Sequence, residues 1–89
     1  SKSDKKRIQD FSPSGIAIHP ENGSTYILSA KGSTLVIFDH NSDLEKVVLL
    51  NDKKIPQPEG ICFDSKSNLY IATEGKGSPG KIFIFTPNH

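Results

Sequence analysis

Eighty-nine residues with 11 basic and 10 acidic side chains, a formal net charge of +1 and a single cysteine amount to one small domain. That balance provides no long-range field to hold nucleic acid or an anionic membrane, and Cys62 alone excludes an intrachain disulfide or a cysteine-rich zinc site. No apolar run approaches the ~18 residues of a membrane helix, and no secretory signal is legible. The sequence starts at Ser1 and not at a methionine, so a processed or truncated chain is expected.

Residues 1–6 read as a flexible tail, because Lys2, Lys5 and Lys6 are interrupted by Asp4 and do not form a basic arm. From there the apolar residues fall into short runs: Arg7–Phe11, Gly15–His19, Thr25–Ser29, Leu35–Asp39, Lys46–Leu50, Gly60–Asp64, Leu69–Thr73 and Lys81–Thr86. Ile, Val, Phe, Tyr and Thr dominate these runs, as β-strands favour. Asn22-Gly23, His40–Asp43, Ser65–Asn68 and Gly75–Gly80 supply the turns. No window shows a sustained apolar period of 3.6 residues, so the chain is predicted to be all-β with no helix. Cys62, inside Gly60-Ile61-Cys62-Phe63, is expected to be a small buried hydrophobe.

The strands repeat. Pro13-Ser14-Gly15-Ile16 recurs 45 residues on as Pro58-Glu59-Gly60-Ile61, Tyr26-Ile27 recurs as Tyr70-Ile71, and Val36-Ile37-Phe38 is echoed by Phe83-Ile84-Phe85. A period of about 45 residues holding four strands predicts antiparallel four-stranded β-propeller blades. Residues 7–89 then form a partial propeller of about two blades of a six-bladed ring. Repeat one covers about 13–57 and repeat two about 58–89. The order begins on an outer strand, Arg7–Phe11, and ends on a third strand, so open edges remain at both ends. Three copies joined head to tail would close six blades; a cleaved piece of a longer chain is the competing expectation.

These motifs carry a family likeness. Ser14-Gly15-Ile16, His19-Pro20 and Tyr26-Ile27-Leu28-Ser29 resemble the opening blade motif of the SdiA-regulated (YjiK-like) family. Pro58-Glu59-Gly60-Ile61 followed by Leu69-Tyr70-Ile71-Ala72-Thr73-Glu74 is similar to its second motif, over roughly residues 8–86 in all. NHL-type and gluconolactonase-like propellers share parts of the pattern. The resemblance implies a bacterial propeller, commonly exported or periplasmic, with a poorly defined biochemical role. It also implies several further blades beyond the two present here.

Glu59 and Glu74 are the candidate ligand-binding pair. Glu59 opens one strand of a hairpin and Glu74 closes the next, so both fall at one edge, where propellers gather ligand groups. Two carboxylates there can bind a hard cation such as calcium, or hold one proton between them. The structural alternative has Glu59 bonded to neighbouring backbone amides and Glu74 solvated. The first repeat carries Ser14 and Ala30 instead.

Gly75-Lys76-Gly77-Ser78-Pro79-Gly80-Lys81 satisfies GxGxxG, but the strand-like Ile82-Phe83-Ile84-Phe85 follows where a phosphate site needs a helix. His19, His40 and His89 have no metal-ligand spacing, and no nucleophile elbow occurs. Asp39, Asp43 and Asp64 read as turn residues, Asn22-Gly23-Ser24 as a hairpin turn, and Tyr26 and Tyr70 as packing residues. The expected function is a non-catalytic binding or scaffold module for a small molecule, glycan or protein. A calcium-dependent, lactonase-like hydrolase is the alternative.

Overall fold

The computed structural model describes residues 13–50, 53–75 and 79–87. They form seven strands and no helix: β1 (Pro13–Ile18), β2 (Thr25–Ser29), β3 (Thr34–Phe38), β4 (Leu44–Leu49), β5 (Pro58–Phe63), β6 (Leu69–Thr73) and β7 (Lys81–Phe85). β1-β2-β3-β4 and β5-β6-β7 are two antiparallel sheets in which chain neighbours are also spatial neighbours. Each of these strands was legible in the sequence, although β4 begins at Leu44, ahead of the expected Lys46. The expected outer strand Arg7–Phe11 lies outside the described residues.

Three turns are built on one plan. Asp39 Oδ1 accepts the amides of Asn41 and Asp43 at 2.9 and 3.0 Å, and Asp64 Oδ1 accepts those of Lys66 and Asn68, both at 2.9 Å. The residue three beyond each aspartate, Ser42 or Ser67, takes a positive φ of 67° or 66°. At β1–β2 an imidazole does the aspartate's work: His19 Nδ1 accepts the Glu21 amide at 3.2 Å and the Asn22 amide at 3.4 Å. Gly23 holds φ at 74° there, at no steric cost. In each turn the side-chain acceptor works beside the same residue's own carbonyl, which accepts the amide of Gly23, Ser42 or Ser67, and together they hold the short connection and the strand register.

The two sheets carry the same ladder. Ile16 faces Ile27 and Ile27 faces Val36; in the second sheet Ile61 faces Ile71 and Ile71 faces Phe83. A register shift follows the first residue of β1 and, likewise, of β5. β1 packs along β5, and Leu28, Leu35 and Ile37 meet Ile71, Ile61, Leu69 and Phe83 in one core. Close approach depends on Gly15, where a Cβ would stand 3.0 Å from Ile61 Cγ2. Ile55, from the connection between the sheets, completes the core at 6% exposure, and its carbonyl accepts the Ser33 hydroxyl at 3.1 Å.

Cys62 departs from expectation: it is exposed. Side chains alternate along β5, and Ile61 and Phe63 take the face turned to the first sheet. Cys62 therefore lies with Tyr70 and Ile84 on the opposite face of its sheet.

Gly15→Val is expected to lower stability by about 1–3 kcal/mol, since its added methyls overfill the contact with Ile61. Thermal or urea unfolding followed by circular dichroism measures this.

Candidate functional site

The register shifts at the starts of β1 and β5 leave one unpaired residue in each, Ser14 and Glu59. A bulge of this kind releases a side chain from the strand's alternation and re-aims it. Ser14 Oγ lies 3.0 Å from the Pro58 carbonyl and 3.3 Å from that of Leu28, so its one proton ties β1 to the start of β5. Glu59 holds the same bulge position in the second sheet, but its hydrogen-bond partner is the Glu74 carboxyl. Glu74 follows β6, and its amide donates to the Gln57 carbonyl at 3.4 Å, which draws the end of β6 toward the start of β5.

The structure thus brings together the two carboxyls singled out in the sequence, both on exposed residues. The hydrogen bond with Glu74 is the main reason that Glu59 stays protonated above the usual 4.5; partial desolvation and Glu74's charge act in the same direction. Beside the pair runs an open groove of about 250 Å³, lined by Pro56, Gln57, Glu74, Gly75, Pro79 and Lys81. The glycine-rich stretch is followed by strand β7, as expected, so no helix amides face a phosphate there. Among the described residues, no cluster of three or more His, Cys, Asp or Glu is arranged to hold a metal ion.

The opposite end of the sheets contains features that the sequence did not reveal. Asp64 Oδ2 accepts both the Asn68 side-chain amide and the Tyr70 hydroxyl at 2.9 Å. With the backbone donors on Oδ1, these bonds hold the Asp64 carboxyl down at about 2, the Asn68 side chain contributing most. Between the sheets, Tyr26 meets Phe63 edge to face at 4.8 Å, and His19 stacks obliquely on Phe63 at 4.9 Å. They line a hollow of about 180 Å³ together with Ser67, whose buried Oγ has no hydrogen-bond partner among the described residues. The only sequence signal for this grouping was the repeat itself, which places His19 and Asp64 at equivalent positions.

A family model described as SdiA-regulated matches residues 1–85. The chain belongs to the SdiA-regulated family. No curated protein matches it closely enough to add to this. Within this SdiA-regulated chain, two of the stretches that carried the resemblance, Ser14-Gly15-Ile16 and Glu59-Gly60-Ile61, lie at the two bulged strand starts.

Asp64's depressed pKa contributes stability that is fully present above the ordinary value of 3.8 and is lost as pH falls through about 2. Asp64→Asn is therefore expected to lower the melting temperature at neutral pH, with a difference from the wild type that narrows toward pH 2. For Glu59 the sign reverses. A raised carboxyl stabilises the fold below 4.5 and loses that contribution as pH rises through its folded value. In a carbon-detected NMR titration, Glu59 should titrate above 4.5 and return toward it in Glu74→Ala.

Proposed function

We propose that the two sheets are consecutive blades of a six-bladed β-propeller. We further propose that the chain is a non-catalytic binding module whose ligand sits where Glu59 and Glu74 meet. The shared ladder, the matching bulges and the packing of β1 along β5 support the blade reading, with β1 and β5 as inner strands beside a channel. Fold alone does not assign a function, so the binding reading rests on the site.

One observation carries that reading: the hydrogen bond between the Glu59 and Glu74 carboxyls, at the rim of a groove that also holds Lys81. Such a rim presents carboxyl oxygens beside one cationic side chain. It suits a hydroxyl-rich small molecule or glycan, or a protein loop presenting donors. Following the family resemblance, we place this role in the periplasm or outside the cell.

The convergence of two carboxyls also favours a second reading, a calcium-dependent hydrolase. A hard cation would displace the shared proton and polarise a carbonyl or phosphoryl oxygen of the substrate. Calcium takes six to eight oxygens, so backbone carbonyls, water or further blades would have to complete its shell.

The binding reading expects a panel of oligosaccharides to shift the NMR amide signals of Gln57, Glu74 and Gly75. It also expects calcium chloride to leave the melting temperature unchanged. Calcium stabilisation that grows from mildly acidic to neutral pH and disappears in Glu59→Gln would favour the hydrolase reading instead.

A further inference from the structure

The end of the sheets that carries the His19, Asp39 and Asp64 turns, opposite Glu59 and Glu74, holds the second hollow, of about 180 Å³. Its walls come from both sheets. Phe63, Leu69 and Phe85 pair in one row across β5, β6 and β7, and Phe85 is 41% exposed. From the first sheet Tyr26 and His19 close over that row, their ring centres 4.8 and 4.9 Å from that of Phe63. The Tyr26 and His19 planes are inclined to Phe63 by 89° and 58°, so the rings wall the space from several directions and do not stack. Ser67 lines the same hollow at 4% exposure, and its Oγ has no hydrogen-bond partner among the described residues. Folded chains rarely leave a buried hydroxyl unmet. A single water meets the hydroxyl, but its share of volume is only about 30 Å³, which leaves the aromatic walls bare.

Charge at this end is acidic. Glu21, Asp39, Asp43, Glu45 and Asp64 stand in or beside the three turns, against Lys46 and Lys66. The register shift in β4 leaves Glu45 unpaired, and its carboxylate accepts the buried Ser24 hydroxyl at 3.4 Å. Tyr26 feels that charge: burial first, and Glu45 after it, push its hydroxyl above the ordinary value of 10.

We propose that this hollow binds a small alkylammonium ion carrying a hydrogen-bond donor, its cationic head among Tyr26, Phe63 and Phe85 and its donor on Ser67 Oγ. Aromatic rings attract an organic cation within about 6 Å of their centres, and the surrounding carboxylates raise the local concentration of cations. A neutral sugar meets the same rings but gains nothing from the carboxylates. The site is independent of Glu59 and lies at the other end of the sheets.

Choline is the probe. Titrated into the chain at fixed ionic strength, it should shift the NMR signals of the Tyr26, Phe63 and Phe85 rings saturably, its own methyl signals moving upfield in the ring currents. Neohexyl alcohol, the neutral isostere with carbon in place of nitrogen, should bind about tenfold more weakly. Phe85→Leu removes a ring outside the buried core and should weaken choline about fivefold with an unchanged circular dichroism spectrum. Ser67→Ala should weaken choline yet leave tetramethylammonium, which has no donor, unaffected; an equal loss for both overturns the role of Ser67. The same group arrives free or on a lipid: cosedimentation with phosphatidylcholine vesicles that choline displaces assigns the headgroup, and its absence assigns the free ion. Equal binding of choline and its neutral isostere overturns the proposal. So does a choline response confined to Gln57, Glu74 and Gly75, or no response at millimolar concentration.

Discussion

Gly15 lies over Ile61 with no side chain between them, and most of the structure follows from that contact. Two sheets approach closely enough to share one core only if the facing positions interlock, small against large. Gly15 and Ala17 on β1 leave room that Ile61 and Phe63 on β5 occupy, and the larger residues Leu28 and Ile71 close the centre at 0% exposure. The connection between the sheets is drawn into the same core through Ile55, with Ser33 bonded to its carbonyl. A thin core of this kind has little redundancy. It depends on the register that brings Gly15, and no neighbour, opposite Ile61.

That register is held from the turns. Slipping one strand by a single residue would exchange its core face for its outer face. Asp39, Asp64 and His19 each anchor a short connection through side-chain acceptors, and a residue of positive φ closes it. The bulges then act as local exceptions. By adding one residue at the start of β1 and of β5, they free Ser14 and Glu59 from the alternation that every later residue in those strands obeys. Ser14 uses that freedom to tie the sheets together, and Glu59 uses it to reach Glu74. The structural contact and the candidate site are two uses of one backbone device.

The legible parts of this molecule are those governed by local chemistry. Short β-branched and aromatic runs between Asn, Asp and Gly positions gave the seven described strands, and the recurrence of Pro-x-Gly-Ile gave the repeat. Hairpin geometry alone put Glu59 and Glu74 at one edge. Cys62 was misplaced because both faces of its sheet are apolar: in Gly60-Ile61-Cys62-Phe63 the pattern cannot say which face a neighbour covers. Ile55 sits alone between Lys54 and Pro56 with no period to mark it. The contact of His19 and Tyr26 with Phe63 joins residues of different repeats, and only the relative placement of the sheets creates it.

The bulge position separates what each repeat does from how it folds. Along the ladder the two sheets are near-copies, Ile for Ile and Tyr for Tyr, since both must fit the same kind of neighbour. At the unpaired residue they part, with a neutral hydroxyl in one and an acid in the other. No residue of the partner strand pairs with that position, so its side chain is freer to differ than the ladder residues, although at Ser14 it also bonds across the sheets to the Pro58 carbonyl. In the propeller proposed here, every inner strand would deliver one such residue to the same end of the channel. Chemistry at that end would then be set by the combination of bulge residues, of which Ser14 and Glu59 are two. Glu59 stands out because it alone meets a second acid from its own hairpin, giving a titratable pair where the neighbouring sheet makes only a structural bond.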